Sequence, residues 1–240
     1  MINSTLGIQS WCFRGLKGTP EIIAALNACG VDRLEACGIH IDLDRPAESL
    51  KLYRDAGITI SSFGVNFFGP DEAANRKVFE FASLAGFPAI SADLNYDSLD
   101  LVEKLCAEYG KKVAIHNHGR RHALGTVREL EALFNRSSAN VGLCLDTGWM
   151  LDSGEDPLAV AKKFRDRLYG VHIKDFVFDR AGNAEDVISG TGVLALDGFA
   201  HYLVDSKFDG YLTLEYEGEP ENPVPNLQAC VKNINAAFAR

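Results

Sequence analysis

Val141-Gly142-Leu143-Cys144-Leu145-Asp146-Thr147-Gly148 holds no strongly polar side chain over its first five residues, then meets a carboxylate. A strand with water on one face alternates apolar and polar residues. This one does not, so both of its faces are covered, as in a parallel sheet flanked by helices. Working outward, comparable runs begin near Leu6, Arg33, Ile58, Ala89, Val113, Val141, Leu168 and Tyr211. Helix signals stand between them. Thr19-Pro20 offers a capping hydroxyl and a first-turn proline, and Gly30 offers a stop. Arg45-Pro46 opens a second helix that Gly57 closes. Thr126-Val127-Arg128-Glu129 spells a capping box, and Asp156-Pro157 starts a further helix that turns Val160, Ala161 and Phe164 inward.

Eight such units in 240 residues predict an α/β fold, a (β/α)₈ TIM barrel forming one domain over residues 1–240. A doubly wound open sheet would place a glycine-rich turn after its first strand. Gln9-Ser10-Trp11-Cys12 is not one. The longest irregular stretch, about Asp175 to Gly192, is expected to be a mobile or ligand-covering loop.

Lys and Arg total 24 against 33 Asp and Glu, a net charge of −9. That sign opposes binding to a phosphate backbone, so no nucleic-acid partner is expected. No run approaches a membrane span, and Met1-Ile2-Asn3-Ser4-Thr5 lacks the start of a secretory signal. The six cysteines are scattered with no C-x-x-C pair and read as buried thiols, so a cytoplasmic setting is expected. A small molecule is the expected partner, and a homo-oligomer is left open.

In a barrel the chemistry sits at the C-terminal strand ends. There the sequence places Glu35 (second run), His116-Asn117-His118 (fifth), Asp146 (sixth), His172-Ile173-Lys174 (seventh) and Glu215-Tyr216-Glu217 (eighth). Charges aimed into a barrel are costly unless paired or metal-bound. Asp146, His172, Glu215 and one fifth-run histidine make an oxygen and nitrogen donor set without thiolate. It suits one divalent ion, Mn, Co, Zn, Fe or Ni, and Mg less well. Residues two apart share a strand face, so either His116 or His118 is the fifth-run ligand. Glu35 either pairs with Lys174 or meets substrate hydroxyls. Trp11 and Trp149 either pack in the core or stack on a sugar face. Glu217 shares the face of Glu215 and meets substrate. His40, His122 and His201 are expected on surface or loops, and Arg120-Arg121 as solvated loop charges.

The chain resembles the xylose isomerase-like TIM-barrel superfamily, which includes sugar phosphate isomerases and epimerases, inosose dehydratases and endonuclease IV. The resemblance rests on Leu145-Asp146-Thr147-Gly148, Val171-His172-Ile173-Lys174-Asp175, Gly190-Thr191-Gly192-Val193-Leu194 and Gly210-Tyr211-Leu212-Thr213-Leu214-Glu215, in that order. It implies a metal cage of Glu, Asp, His and Glu. Asp146, His172 and Glu215 match the last three, and His116 stands where the first glutamate is usual. Trp149 replaces a frequent histidine. The resemblance implies a metal-dependent sugar or sugar phosphate isomerase or epimerase working through a metal-stabilised enediolate. Glu215 or His118 would be the base, and Lys174 would stabilise the oxyanion. The alternative is a dehydratase or lyase on an inosose or 3-keto-sugar. A phosphodiesterase and a non-catalytic sugar-binding barrel are weaker readings.

Overall fold

The computed structural model describes residues 6–239, so the reading of Met1 to Thr5 lies outside the described residues. In chain order the elements are β1 (Leu6–Gln9), α1 (Thr19–Cys29), β2 (Arg33–Ala36), α2 (Pro46–Asp55), β3 (Thr59–Phe63), β4 (Asn66–Phe68), α3 (Glu72–Ala85) and β5 (Ala89–Leu94). Then come α4 (Leu99–Tyr109), β6 (Lys112–His116), α5 (Val127–Phe134), β7 (Val141–Asp146), α6 (Thr147–Asp152), α7 (Pro157–Lys163) and β8 (Leu168–Ile173). A hairpin of β9 (Asp175–Phe178) and β10 (Ala184–Val187) precedes α8 (Leu196–Asp205), β11 (Tyr211–Leu214) and α9 (Val224–Phe238).

Nine strands form one sheet in the order β3-β2-β1-β11-β8-β7-β6-β5-β4, and every pairing in it is parallel. Its two edges, β3 and β4, are successive pieces of one stretch of chain, so the sheet curls into a barrel with that stretch as its seam. Ser62 Oγ donates to the Ala89 carbonyl and Asn66 Nδ2 to the carbonyl of Ser91, stitching the seam to β5. The eight apolar runs of the sequence are the eight barrel staves, the third one broken between Phe63 and Asn66.

Side chains alternate along each stave. Leu34, Ile90, Ile115, Leu143, Leu145, Val171, Ile173, Leu212 and Leu214 join the large apolar core beneath the helices. Their neighbours Glu35, His116, Asp146, His172 and Glu215 point the other way and are nonetheless buried. The lower barrel is filled by Ala89, Ala114, Cys144, Tyr169 and Tyr211. The rings fit because glycines face them. A Cβ on Gly170 would lie 2.1 Å from Tyr211 Cζ.

Several expectations hold. The capping box at Thr126 and Glu129 is formed, Asp156 caps α7, and Gly30 takes the left-handed conformation after α1. All six cysteines are buried and free. Two expectations are corrected. Thr19 lies inside α1, whose cap position is Gly18, so its hydroxyl does not cap the helix. The stretch from Asp175 to Gly192 is not a loose loop. It contains the β9–β10 hairpin, and the Asp175 carboxylate accepts backbone N–H bonds from Gly190, Gly192 and Leu194. No helix among the described residues is long and apolar enough to cross a membrane.

Overpacking a barrel interior forces side chains off their rotamers. Gly170→Ala should lower unfolding free energy by about 1–3 kcal/mol, measured by urea denaturation. Trimming the facing ring with Tyr211→Ala in the same chain should recover part of that loss, and no recovery would refute the packing account.

Candidate metal centre

The inward face of four adjacent staves delivers four donors to one point. His116 ends β6, Asp146 ends β7, His172 lies near the end of β8, and Glu215 directly follows β11. The strand register sets Asp146 opposite His172, with His116 opposite Cys144, two residues before Asp146, and Glu215 two residues beyond Thr213, the partner of His172. One ligand atom from each lies within 4.8 Å of the others. His116 Nε2 is 3.0 Å from His172 Nδ1 and 3.5 Å from both Asp146 Oδ2 and Glu215 Oε2. His172 Nδ1 is 3.0 Å from Glu215 Oε2. Ligands of a tetrahedral ion at bond lengths of about 2.0–2.2 Å stand roughly 3.3–3.6 Å apart. The spacing is therefore close to what a divalent ion requires.

The donors also want a cation. Asp146 Oδ2 is buried with no hydrogen-bond partner. Buried polar atoms are rarely left so. Two carboxylates and two imidazoles make a donor set that suits a borderline transition ion. On these observations the residues fit a divalent metal. Of the two fifth-stave histidines, His116 is the one placed in the cage.

The ligands are held from behind. His172 Nε2 is 2.7 Å from Glu35 Oε2, which also accepts a bond from Thr213 Oγ1. This fixes which nitrogen of His172 faces the cage. Asn117 clamps two stave ends, donating to the Asp146 carbonyl and accepting from the Asp146 N–H. Asp146 Oδ1 accepts from the Trp149 N–H.

Burial disfavours charge on His116, but Asp146 and Glu215 beside it raise its pKa to about 10. Burial would raise Glu215, yet Lys174 and His172 hold it well below the usual carboxylate range. Burial and the neighbouring His116 and His122 push His118 down to about 2, leaving it neutral near pH 7.

Above the cage opens a cavity of about 460 Å³, lined by Gln9, Trp11, Cys37, Gly38, Ile39, Gly64, Val65, His116, His118, Trp149, Glu215 and Glu217. Its size is that of a small-molecule site. Trp11, Trp149, Glu217 and His118 thus stand where substrate contact was expected. Two residues do not. Glu35 neither pairs with Lys174 nor lines the cavity; its Oε2 is bonded by His172 and Thr213, while its Oε1 is buried without a hydrogen-bond partner. Lys174 is absent from the lining. Its ammonium lies 2.6 Å from Glu217 Oε1 and 3.1 Å from Asp186 Oδ2. Arg120 is not a free loop charge either, since it bonds Asp152 and the Gly182 carbonyl.

The sequence reading missed three participants. His122, expected on surface or loop, pairs with Asp93 at 3.1 Å and sets its ring 5.1 Å from that of His118. Asp93 itself falls on the inward face of β5, and period-two counting from Ser91 would have found it. Asp186 carried no signal, because it meets Lys174 only through the hairpin.

A (β/α)₈ barrel with a nitrogen and oxygen cage at the C-terminal ends of its staves defines a class of metal-ready enzyme folds. The family profile of the xylose isomerase-like TIM barrel matches residues 86–234, and the chain belongs to that family. An inosose dehydratase of Bacillus thuringiensis (strain Al Hakam) is 30% identical over 139 residues, 52% of this chain and 46% of that protein. The match thus spans about half the length of that relative. Two solved structures share the fold. The probable 3-DHS dehydratase AsbF from Bacillus anthracis superposes with a TM-score of 0.76 at 17% identity, covering 96% of this chain and 98% of that one. The IolI protein, solved with a zinc atom, gives 0.76 at 17% identity and covers 98% of both chains.

Ligands must lose protons to bind metal. With His116 protonated up to about pH 10 and His172 also raised well above the usual histidine range in the metal-free protein, affinity for Zn²⁺ or Mn²⁺ should rise at least about tenfold per pH unit between pH 6 and 8, read by calorimetry. A flat profile would contradict the protonation argument. Glu35→Gln, which removes no ligand, should weaken metal binding about 10–100-fold.

Proposed function

We propose that this chain is a metal-dependent enzyme that removes the proton beside the carbonyl of a keto-sugar or keto-polyol, with β-elimination of a neighbouring oxygen as the outcome. The observation that carries the reading is His118. Among the described residues lining the cavity, its side chain is the one titratable group spent neither on the cage nor on another partner. Its Nδ1 is buried and lacks any hydrogen-bond partner. Glu217 is taken by Lys174 and Trp11, and Cys37 by Ser10.

His116, Asp146, His172 and Glu215 would hold a divalent ion, which would supply a Lewis acid to polarise a substrate carbonyl. The neutral His118 imidazole takes the proton from the acidified carbon, which a group of suppressed basicity can do only because that carbon is acidified. The electron pair left behind forms a carbon–carbon double bond as the β-oxygen departs. The proton held on His118 returns to that oxygen. Trp11 and Trp149 flank the ring, and Glu217 is kept in place by Lys174.

Epimerisation at one carbon requires bases on both faces. Here the second base would have to be Glu215, whose Oε2 faces His116 and His172. The similarity to an inosose dehydratase supports elimination over epimerisation. Isomerisation uses the same first proton transfer but returns that proton to the neighbouring carbon, passes the hydroxyl proton to the former carbonyl oxygen and breaks no carbon–oxygen bond.

His118→Asn should cut solvent deuterium exchange beside the carbonyl by about 10²–10⁴-fold, with metal content unchanged. NMR in D₂O with inososes and 3-keto-glycosides reads both exchange and product. Undiminished exchange would remove His118 as the base, and a ketose–aldose interconversion in place of water loss would replace elimination with isomerisation.

A further inference from the structure

The cavity has two unlike walls. The β6, β7 and β11 side carries His116, His118, Trp149, Glu215 and Glu217. The opposite side is built from Gln9 and Trp11 after β1, Cys37, Gly38 and Ile39 after β2, and Gly64 and Val65 at the seam. On that second wall the polar side-chain atoms are already engaged. Gln9 Nε2 donates to the Gly64 carbonyl, and its Oε1 accepts from the Trp11 N–H. Trp11 Nε1 donates to Glu217 Oε2 at 3.0 Å. Cys37 Sγ accepts from Ser10 Oγ. The Gly64 N–H is spent on the Ala36 carbonyl. What remains to face a ligand is the Trp11 indole, Ile39 at 58% exposure and Val65 at 36%.

Charge points the same way. Among the described residues that line the cavity, none is Lys or Arg. The nearby cations are committed elsewhere, Lys174 to Glu217 and Asp186, and Arg14 to the carbonyls of Trp11 and Glu217. A phosphate group beyond the cage would meet carboxylates and an apolar wall. Ring hydroxyls turned to that wall would lose their water without a protein partner, which is costly for each one.

Resting on the function proposed above, we infer that the substrate is an uncharged keto-ring, not a phosphate ester, and that it carries an apolar substituent seated on Trp11, Ile39 and Val65. An aryl glycoside of a keto-sugar has this form. The ring's polar edge faces the cage and His118, and the aglycone covers the wall whose polar side-chain atoms are already engaged.

Both tryptophans of the chain, Trp11 and Trp149, line the cavity, so intrinsic fluorescence reports its occupancy directly. The Zn²⁺-loaded protein is titrated with methyl 3-keto-glucoside, its phenyl analogue and the 6-phosphate of the methyl compound. The phenyl compound should bind about tenfold more tightly than the methyl one, from the added apolar area removed from water. The phosphate should bind at least about tenfold more weakly. Ile39→Ser should shrink the phenyl advantage toward unity. Equal affinity of the phenyl and methyl compounds, or tighter binding of the phosphate, overturns the inference. If deuterium exchange into the methyl compound persists in that case, the proposed chemistry stands and only the substrate class falls. Failure of all three to quench overturns the carbonyl-sugar reading and this inference together.

Discussion

His172 is gripped from both sides. Glu35 holds one ring nitrogen at 2.7 Å and Glu215 approaches the other at 3.0 Å, with the imidazole fully buried between them. The three residues come from β2, β8 and the end of β11, staves that are far apart in sequence. Two buried carboxylates around one imidazole would be expensive if the groups were merely packed together. Hydrogen bonds behind offset part of that cost, and a divalent cation in front would offset more. The cage geometry therefore depends on Glu35, although Glu35 supplies no ligand.

The same strands serve stability and chemistry because their side chains alternate. Leu143 and Leu145 anchor β7 to the helices while Asp146 ends it in the cage. Val171 and Ile173 do the same around His172. The donors therefore sit on well-packed staves, where sites are held more precisely than on loops. Ile39 and Val65, like Trp11, His118 and Glu217, come from connecting segments, which is where substrate selection can vary without disturbing the cage.

The staves were legible in the sequence because buried parallel strands leave long apolar runs, and all eight starts fall within one residue of the observed ones. The cage was legible because its members end those runs. What was not legible depends on contacts between distant segments. Nothing local distinguishes a glutamate that meets substrate from one that meets a histidine across the barrel, so Glu35 was placed on the wrong side of His172. Lys174 looked available because its partner Asp186 reaches it only after the β9–β10 hairpin folds back. His122 is a loop residue as expected, but its pairing with Asp93 from another stave has no local signal.

The histidine at position 116 has an electrostatic consequence. Two carboxylates and two imidazoles carry a formal charge of −2, which a divalent ion offsets in full. A glutamate at position 116 would leave −1 and weaken the pull on a substrate carbonyl. The exchange also removes one carboxylate base from the site. Its loss is tolerable when the carbon acid is more strongly activated, because a weaker base then suffices. His118, neutral and held two residues further along the same face, is the base in the function proposed above. On that proposal the departure at 116 and the imidazole at 118 would be one adjustment, trading basicity in the ligand shell for acidity at the substrate.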